Sequence, residues 1–343
     1  MRKGVSYGEC PIALCLPIAL FMVIAGCSED VNHCCWEEME IRGDSYVELE
    51  DIWGTSASNF YAVGRDTRIV HCDNFTCTTE DIGVGGFVGI WGSSESDIYV
   101  ISRTGQIMHY DGNEWSKVFD AIEEQDHLRL EGIWGSSESD VYAVGSHFVG
   151  PDYNDRISKI LHFDGASWVR VENNFKTGLT SVWGSSSTDV FAIGAMEVYH
   201  YDGNEWCLMM GDAPEELTDV WGTSANDVYA IGSKETVVHY NGVEWSEMNV
   251  DFGSSSFRNT WGTSSDNIYV SGSYGGYGGV DVSHFDGNSW IHLDLNFGGF
   301  NSVWGSSPDE VFMCGCKDTV AGCEEGIIVR KTCDVEKMRV CNQ

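Results

Sequence analysis

Residues 133–145, Ile-Trp-Gly-Ser-Ser-Glu-Ser-Asp-Val-Tyr-Ala-Val-Gly, are the clearest copy of a motif that occurs seven times along the chain. The motif tryptophans are 38, 43, 49, 38, 40 and 43 residues apart, at Trp53, Trp91, Trp134, Trp183, Trp221, Trp261 and Trp304. A repeat of roughly 40 residues, rich in β-formers and turn residues, is typical of radial or stacked β architecture, because one unit cannot bury its own apolar faces. The repeat therefore predicts the fold.

Each repeat divides into four short β-rich runs. In the fourth repeat these runs are residues 178–184, 189–194, 197–202 and 205–210. The turn between the last two runs, Asp202-Gly203-Asn204, is a strong hairpin signal. Four antiparallel strands in each of seven repeats predict an all-β protein, a seven-bladed β-propeller.

The remaining tryptophans predict how the ring closes. Five of them follow an Asp or Asn hairpin turn at the start of a fourth strand: Trp115, Trp168, Trp206, Trp245 and Trp290. The seventh repeat has no such tryptophan, whereas Trp36 precedes the first repeat in a stretch that resembles the fourth strand around Trp245. We predict that residues 36–41 supply the missing outer strand of the last blade, which leaves only short, protected edges. The alternative is that residues 335–340 complete that blade.

The first repeat carries cysteines where the others carry aromatic residues. Where other repeats read His-Tyr-Asp-Gly-Asn-Glu-Trp, the first has Cys72 and Cys77 in the two aromatic positions. Directly opposed residues in a non-hydrogen-bonded pair have Cα atoms about 4.5 Å apart, at the short end of disulfide geometry. A disulfide between Cys72 and Cys77 is predicted.

The amino terminus has the features of an export signal. Arg2 and Lys3 precede an apolar run over residues 12–24, which is too short for a spanning helix of about 20 residues. The following Ile-Ala-Gly-Cys, residues 24–27, resembles the lipobox of bacterial lipoproteins. The resemblance implies cleavage before Cys27 and attachment of diacylglycerol to its thiol. The alternative is an ordinary secretory signal, with Cys27 in a disulfide.

This interpretation divides the chain into three parts. Residues 1–26 are the signal peptide, 27–35 are the lipidated cysteine with a short tether, and 36–343 are a single propeller. Ten cysteines then remain in an exported setting that permits disulfides. Seven lie where the chain ends should meet, namely Cys34, Cys35, Cys314, Cys316, Cys323, Cys333 and Cys341.

Bridges between Cys34 or Cys35 and the C-terminal cysteines would fasten the closure, although the sequence leaves their connectivity open. Seven is an odd number and Cys207 lies in a distant repeat, so at least one free thiol is expected. A zinc site is the weaker alternative, because paired Cys-x-x-Cys units are missing.

The charge balance excludes one class of partner. The chain has 19 Lys and Arg against 53 Asp and Glu, a net charge of −34, which repels phosphate backbones and excludes nucleic acid. Solubility explains such a surface, and attraction of a basic partner or of divalent cations is the functional alternative. Asp152, Asn154 and Asp155 form an oxygen-rich stretch without a calcium-loop motif. We expect a monomer with no metal and no other cofactor.

Six histidines recur at one position of the third strand: His71, His109, His162, His200, His239 and His284. Blades radiate from an axis, so equivalent positions are spread around the ring and cannot form one ligand sphere. We therefore expect these histidines to have an architectural role.

Binding residues are expected where the repeats differ. The turns after strands one and three are nearly constant and lie on one face of the disc, whereas the connections on the opposite face vary. The third repeat has an insertion over residues 146–156 and the sixth over 271–279. Aromatic and polar residues on such loops suit peptide or sugar recognition. The candidate binding residues are His147, Phe148, Tyr153, Asp155, Tyr274 and Tyr277.

The repeat unit, Trp-Gly-[Ser/Thr]-Ser-x-x-Asp-Val-Tyr-Ala-Val-Gly followed by His-[Tyr/Phe]-Asp-Gly-x-x-Trp, resembles the WG-type repeats of bacterial propeller lipoproteins and, more distantly, kelch and Asp-box propellers. Propellers host binding modules, scaffolds and enzymes, so the resemblance implies a fold and leaves the activity open. The Asp-box likeness suggests a sialidase-like enzyme as an alternative, with Arg65, Arg68 and Arg103 as candidates for an arginine triad.

The function expected from the sequence is a lipid-anchored, non-enzymatic binding or scaffold module. Its ligand would be a protein or a carbohydrate on the variable-loop face. Ser28, after the predicted lipidated cysteine, resembles the outer-membrane class of lipoproteins. The predicted location is therefore the bacterial outer membrane or cell surface.

Overall fold

The computed structural model describes residues 34–43, 48–121, 127–149, 155–172, 175, 177–250, 255–274, 279–293, 295, 297–317, 323 and 325–332. The predicted signal peptide, Cys27 and the alternative closing segment 335–340 lie outside them. Among the described residues, no helix has the length and apolar character needed to cross a membrane.

Seven sheets, each with four antiparallel strands, confirm the predicted seven-bladed propeller. Two short strands come first, β1 (Cys35–Glu38) and β2 (Ile41–Arg42). Blade 1 has β3 (Leu49–Ser56), β4 (Asn59–Gly64), β5 (Arg68–Asp73) and β6 (Thr76–Asp81). Blade 2 has β7 (Phe87–Ser94), β8 (Asp97–Ser102), β9 (Gln106–Tyr110) and β10 (Trp115–Asp120). Blade 3 has β11 (Leu128–Ser137), β12 (Asp140–Val149), β13 (Asp155–Phe163) and β14 (Trp168–Val171).

The remaining blades follow the same order. Blade 4 has β15 (Ser181–Ser186), β16 (Asp189–Gly194), β17 (Glu197–Tyr201) and β18 (Trp206–Met210). Blade 5 has β19 (Leu217–Ser224), β20 (Asp227–Gly232), a 3-10 turn (Ser233–Glu235), β21 (Val237–Tyr240) and β22 (Trp245–Glu247). Blade 6 has β23 (Ser255–Ser264), β24 (Asn267–Tyr274), β25 (Gly279–Phe285) and β26 (Trp290–Leu293). Blade 7 has β27 (Gly299–Ser307), β28 (Glu310–Cys316) and β29 (Gly326–Thr332).

The amino-terminal strand closes the ring as predicted. Strand β1 pairs antiparallel with β29, with Trp36 opposite Lys331, and is the outer strand of blade 7. The strand β1 is shorter than the predicted 36–41, because the chain leaves blade 7 after a last backbone hydrogen bond from Met39 to the Ile328 carbonyl oxygen. It then enters blade 1, where β2 pairs parallel with β6 as a fifth strand. The segment therefore joins the first and last blades.

The Trp-Gly motif is explained by contacts between neighbouring blades. A Cβ atom on Gly184 would lie 2.6 Å from Cη2 of Trp134 in the preceding blade and 2.7 Å from the carbonyl oxygen of Asp189. Only glycine leaves room for this contact. The same overlap recurs between Trp53 and Gly92, Trp91 and Gly135, Trp183 and Gly222, Trp221 and Gly262, and Trp261 and Gly305.

The outer hairpins confirm the predicted pairing across the third and fourth strands. Tyr201 and Trp206 have ring centroids 5.5 Å apart, and four other blades have an equivalent pair. In blade 1, Cys72 and Cys77 take these positions and form the predicted disulfide. The carboxylate of Asp202 accepts hydrogen bonds from the backbone N–H groups of Asn204 and Glu205, which holds the turn.

The six recurring histidines have the expected architectural contacts. Each ring packs against an aromatic residue of the second strand, at centroid distances of 4.2 to 4.5 Å. Each Nε2 atom also lies 2.6 to 3.0 Å from an Asp or Asn oxygen at the start of that strand. In blade 7, Arg330 takes the histidine position opposite Phe312 and pairs with Glu37 of β1.

Some of the described cysteines form disulfides and others are free thiols. Cys316 and Cys323 form a second disulfide, local to blade 7, and Cys34 is also disulfide-bonded. Cys207 is exposed and Cys314 is buried, and both are free, which confirms the expected free thiol. Burial raises the pKa of the Cys314 thiol well above its ordinary value.

Candidate binding surface at the channel entrance

The first strand of each blade lines a central channel with a cavity of about 540 Å³. Each inner strand runs from the face that carries the variable connections, here called the loop face, to the face with the constant turns, here called the turn face. The Trp-Gly pair lies toward the turn face. The two residues that stand two and three positions before each tryptophan lie toward the loop face, and these positions line the channel.

Five polar side chains at the position two residues before the tryptophan form a hydrogen-bonded group, here called the channel cluster. Its members are Asp51, Ser181, Asp219, Asn259 and Ser302. Blades 2 and 3 have Gly89 and Gly132 at this position. A Cβ on Gly132 would lie 2.9 Å from the Cα of Ser181, so the inner strands of blades 3 and 4 approach closely where the cluster ends.

Each carboxylate of the channel cluster links three blades. Asp219 accepts from the Ser181 hydroxyl at 2.6 Å, the Asn259 amide at 3.1 Å and the Thr260 backbone N–H at 2.7 Å. Asp51 accepts from the Ser302 hydroxyl at 2.7 Å and the Ile90 backbone N–H at 2.9 Å. The cluster therefore connects blade 4 to blade 2 through blades 5, 6, 7 and 1.

Burial in the channel changes the titration of both carboxyl groups. Loss of solvation raises the pKa of Asp51 to about 6 and that of Asp219 to about 7, while the donated hydrogen bonds oppose the rise. The charge of Asp51 adds to the upward shift of the Asp219 pKa. The channel is consequently less negative near neutral pH than its two aspartates suggest.

Charged residues at the channel mouth form a second network, here called the entrance arc. In order around the mouth it consists of Arg258, Asn301, Glu48, Arg65, Glu50, Arg103, Glu131 and Arg129. It begins in blade 6 and ends in blade 3. In the intervening blades 4 and 5 the equivalent positions are Thr180 and Thr218, whose hydroxyls donate to backbone carbonyls.

The geometry of the arc presents arginines to solvent and holds glutamates beneath them. The Arg65 side chain is 51 % exposed, whereas Glu50, which it contacts at 2.5 Å, is only 7 % exposed. Glu131 lies 2.5 Å from Arg129 and 3.4 Å from Arg103, both of which are 38 % exposed. The exposed donors of the arc are therefore guanidinium groups.

Arg258 differs from the other arginines of the arc. Its side chain is exposed, and its Nη1 atom donates to the amide oxygen of Asn301 at 2.9 Å. Within the described part of the chain it has no carboxylate partner. Arg258 is thus the arc's most available guanidinium for an external anion.

The candidate binding residues lie on extended hairpins of the loop face. His147 and Phe148 are on β12, and Asp155 begins β13, so the described residues of the predicted insertion lengthen these two strands. Tyr274 ends β24 in blade 6. Tyr153 and Tyr277 lie outside the described residues.

The structure places the two hairpins in different blades, at opposite ends of the entrance arc. Arg129 pairs with Ser146 at the base of the blade 3 hairpin. Arg258 lies beside Phe257, which pairs with Gly272 at the base of the blade 6 hairpin.

The three arginines of the sialidase alternative have carboxylate partners. Arg65 and Arg103 both contact Glu50 in the entrance arc. Arg68 instead contacts Asp66 within its own turn, through Nε at 2.8 Å. The structure therefore brings two of the three guanidiniums together and engages the third elsewhere.

Sequence reasoning did not identify the channel cluster or the entrance arc. Their members are separated by about one repeat length each, so no local motif joins them. A signal was present nonetheless. The residues two and three positions before the tryptophan of each repeat vary in charge and size, although the rest of the motif is nearly constant.

Comparison with known proteins agrees on the fold. No protein-family model and no curated protein sequence matches this chain. A structure of YCF48 bound to D1 peptide is similar at a TM-score of 0.64 and 16 % identity, covering 87 % of this chain and 97 % of the other. YCF48 from Cyanidioschyzon merolae gives 0.63 and 11 %, over 87 % and 98 %. The RRP9 WD40 repeats give 0.64 and 10 %, over 86 % and 96 %. The protein is therefore a β-propeller by fold.

Proposed function

We propose that this chain is a lipid-anchored propeller of the bacterial envelope that binds an acidic segment of a partner polypeptide at the entrance arc. The observation that carries the proposal is the greater exposure of the arginines than of the glutamates that they contact at the channel mouth. The planar fork of a guanidinium matches the two oxygens of a carboxylate, and its charge is retained at all physiological pH values.

Charge distribution supports an acidic ligand. The chain carries only 19 basic residues against 53 acidic ones, and the surface as a whole repels anions. The arc has four arginines and three glutamates, so positive charge exceeds negative charge there, in contrast to the chain as a whole. A partner carboxylate would be directed to this site by repulsion elsewhere as well as by attraction here.

The position of the two hairpins supports a polypeptide ligand. They stand on the loop face at both ends of the arc, where a chain crossing the channel mouth would meet the extended strands of blades 3 and 6. The structurally similar YCF48 binds a D1 peptide, so this fold accepts peptides. A carbohydrate ligand, the other possibility predicted from the sequence, is an outcome of the experiment below.

The binding proposal is tested with paired peptide libraries and a glycan array. Acidic peptides and their Asn or Gln counterparts are screened against the mature protein and the Arg258→Gln variant. We expect acidic peptides to bind to the wild type, with an affinity that falls as salt rises and that is about two- to fivefold lower in the variant. Arg170→Gln is the matched control, because Arg170 is exposed on the outer strand β14, away from the channel.

Two results would contradict the proposal. Equal affinity of the wild type and the Arg258→Gln variant for acidic peptides would remove the entrance arc as the site. Binding of glycans alone would replace the polypeptide by a carbohydrate ligand.

The anchor is tested separately by labelling cells with a fatty-acid analogue. We expect the wild type to carry the label and to sediment with membranes, and Cys27→Ser to lose both properties while the folded domain persists. Label retained in the Cys27→Ser variant would refute lipidation at this residue.

A further inference from the structure

The outer halves of neighbouring blades are separated by grooves with aromatic walls, and the groove between blades 3 and 4 has a volume of about 770 Å³. Its aromatic walls include Tyr142, Phe175, Tyr199 and Trp206. Phe175 stacks on Tyr199 with centroids 3.7 Å apart, and Trp206 meets Phe175 edge-on at 6.1 Å. These contacts bring the aromatic rings together into one apolar surface.

Three glutamates, Glu172, Glu197 and Glu205, line the same groove. Glu197 is held in place by two hydrogen bonds of 2.6 Å to one carboxylate oxygen, donated by the Tyr199 hydroxyl and the Thr177 hydroxyl. Glu205 and Glu172 are both exposed. The groove therefore combines aromatic faces with negative charge and has no Lys or Arg among its described lining residues.

The neighbouring groove between blades 2 and 3 has a volume of about 680 Å³, and Lys117 and Phe119 are among its lining residues. There the Arg170 guanidinium lies 5.8 Å from the centre of the Phe119 ring, so the chain supplies its own cation. Arg170 pairs with Leu161, and the corresponding residue of blade 4, opposite Tyr199, is Leu208. Between blades 7 and 1, Arg330 similarly lies 4.2 Å from the centre of the Phe75 ring.

We propose that the groove between blades 3 and 4 binds a lysine or arginine side chain of a partner polypeptide. The aliphatic stem would lie along Val171, Phe175 and the 54 % exposed Leu208, and the cationic head would meet Glu205 and the Trp206 face. In the two other grooves a cation of the chain itself lies against an aromatic ring, Arg170 from the outer strand of blade 3 and Arg330 from the third strand of blade 7. This site is distinct from the entrance arc and has the opposite charge preference.

The test uses one peptide in two chemical forms. The mature protein is titrated with acetyl-Gly-Ser-Lys-Ser-Gly-amide and with the same peptide carrying Nε-acetyl-lysine, while the indole N–H resonance of Trp206 is followed by NMR and assigned with Trp206→Phe. We expect the charged peptide to shift this resonance and the acetylated peptide to bind at least about fivefold more weakly, because acetylation removes the charge and keeps the stem.

Matched glutamate variants locate the site. Glu205 and Glu114 occupy the same hairpin position in blades 4 and 2, directly before Trp206 and Trp115. We expect Glu205→Gln to weaken the lysine peptide about two- to fivefold, a range typical of exposed charged contacts, and Glu114→Gln to leave it unchanged. Arg258→Gln should also leave it unchanged, which separates this proposal from the one for the entrance arc.

Several results would overturn the proposal. Equal binding of the acetylated peptide would show an apolar site without cation recognition. Equal effects of Glu205→Gln and Glu114→Gln would show attraction to the acidic surface in general. Binding that develops only in Lys176→Gln would show that the chain's own lysine, next to Phe175 in the sequence, occupies the groove.

Discussion

The two ends of the seven inner strands are under different physical constraints. At the turn-face end, every strand carries Trp-Gly, because each of six tryptophans covers the glycine of the next blade. At the loop-face end, the residue two positions before the tryptophan is Asp, Gly, Gly, Ser, Asp, Asn or Ser. The comparison teaches that the motif repeats where neighbouring blades are in contact. Residues that face the channel do not make this contact, so they can vary and are available to bind a ligand.

Aspartates at the two ends show the same division electrostatically. On the turn face, the backbone N–H groups of Glu205 and Asn204 lower the pKa of Asp202. In the channel, burial raises the pKa of Asp219 to about 7. One carboxylate is thus stabilised in its charged form as part of a turn, and the other is destabilised in its charged form in the cavity.

The largest expected effect comes from breaking the turn-face contact. In Gly184→Ala the new methyl group would meet both the Trp134 ring and a backbone carbonyl, and overpacking of this kind costs about 1–3 kcal/mol, or more where the backbone must move. Urea unfolding measures the loss. Gly211→Ala is the control, since its Cβ would meet only the Leu208 side chain, at 3.3 Å. Equal stability of the two variants would contradict the role assigned to the Trp-Gly contact.

A second, intermediate effect concerns pH. Because the folded pKa of Asp219 lies above its ordinary value of 3.8, the folded state binds more protons than the unfolded state between pH 4 and pH 7. This group therefore makes the protein less stable as pH rises through that window. We expect Asp219→Asn to remove a slope of at most about 1.4 kcal/mol per pH unit.

The isosteric substitution keeps the contacts that the channel cluster needs. In the Asp219→Asn variant, the side-chain carbonyl oxygen would accept from the Thr260 backbone N–H, and the new amide would donate to the Ser181 hydroxyl. Unfolding free energies at pH 5 and pH 8 measure the slope. An unchanged slope in the variant would assign the pH dependence to other groups.

The smallest expected effect is at a turn aspartate. Asp202 has a lowered pKa, so its contribution is present above pH 3.8 and is lost only as pH falls through its folded pKa. Asp202→Ala should lower the urea midpoint less than Gly184→Ala and leave the slope between pH 5 and 8 unaltered. A change in that slope would remove the distinction between the two kinds of aspartate.

Much of the fold could be predicted because its determinants are local or repeated. The spacing of the Trp-Gly motifs indicated seven blades. Because the seventh repeat lacks a fourth-strand tryptophan, Trp36 could be assigned correctly to blade 7. The Cys72–Cys77 disulfide followed from positions within one hairpin. The switch of the chain from blade 7 to the fifth strand of blade 1 was not predicted, because β2 has only two residues.

The candidate site was predicted only as a face. The extended hairpins were located, but the arc between them depends on contacts such as Asn301 to Glu48, which are 253 residues apart in the chain. Taken alone, each charged residue of the arc looks like an ordinary surface residue of its repeat. Only closure of the ring brings Arg258 and Arg129 into one network with the residues between them.

Closure by β1 also has a consequence for biosynthesis. Among the described residues, the first strand pairs with the last one, so Trp36 meets Lys331 only after the 294 residues between them have been synthesised. Until then the edge of blade 7 is unpaired and the Trp36 side chain, 3 % exposed in the finished ring, is uncovered. Any chain that ends before Gly326 lacks β29 and cannot complete the seventh blade. Premature termination therefore leaves the ring unclosed, with an unpaired strand edge that proteases can attack.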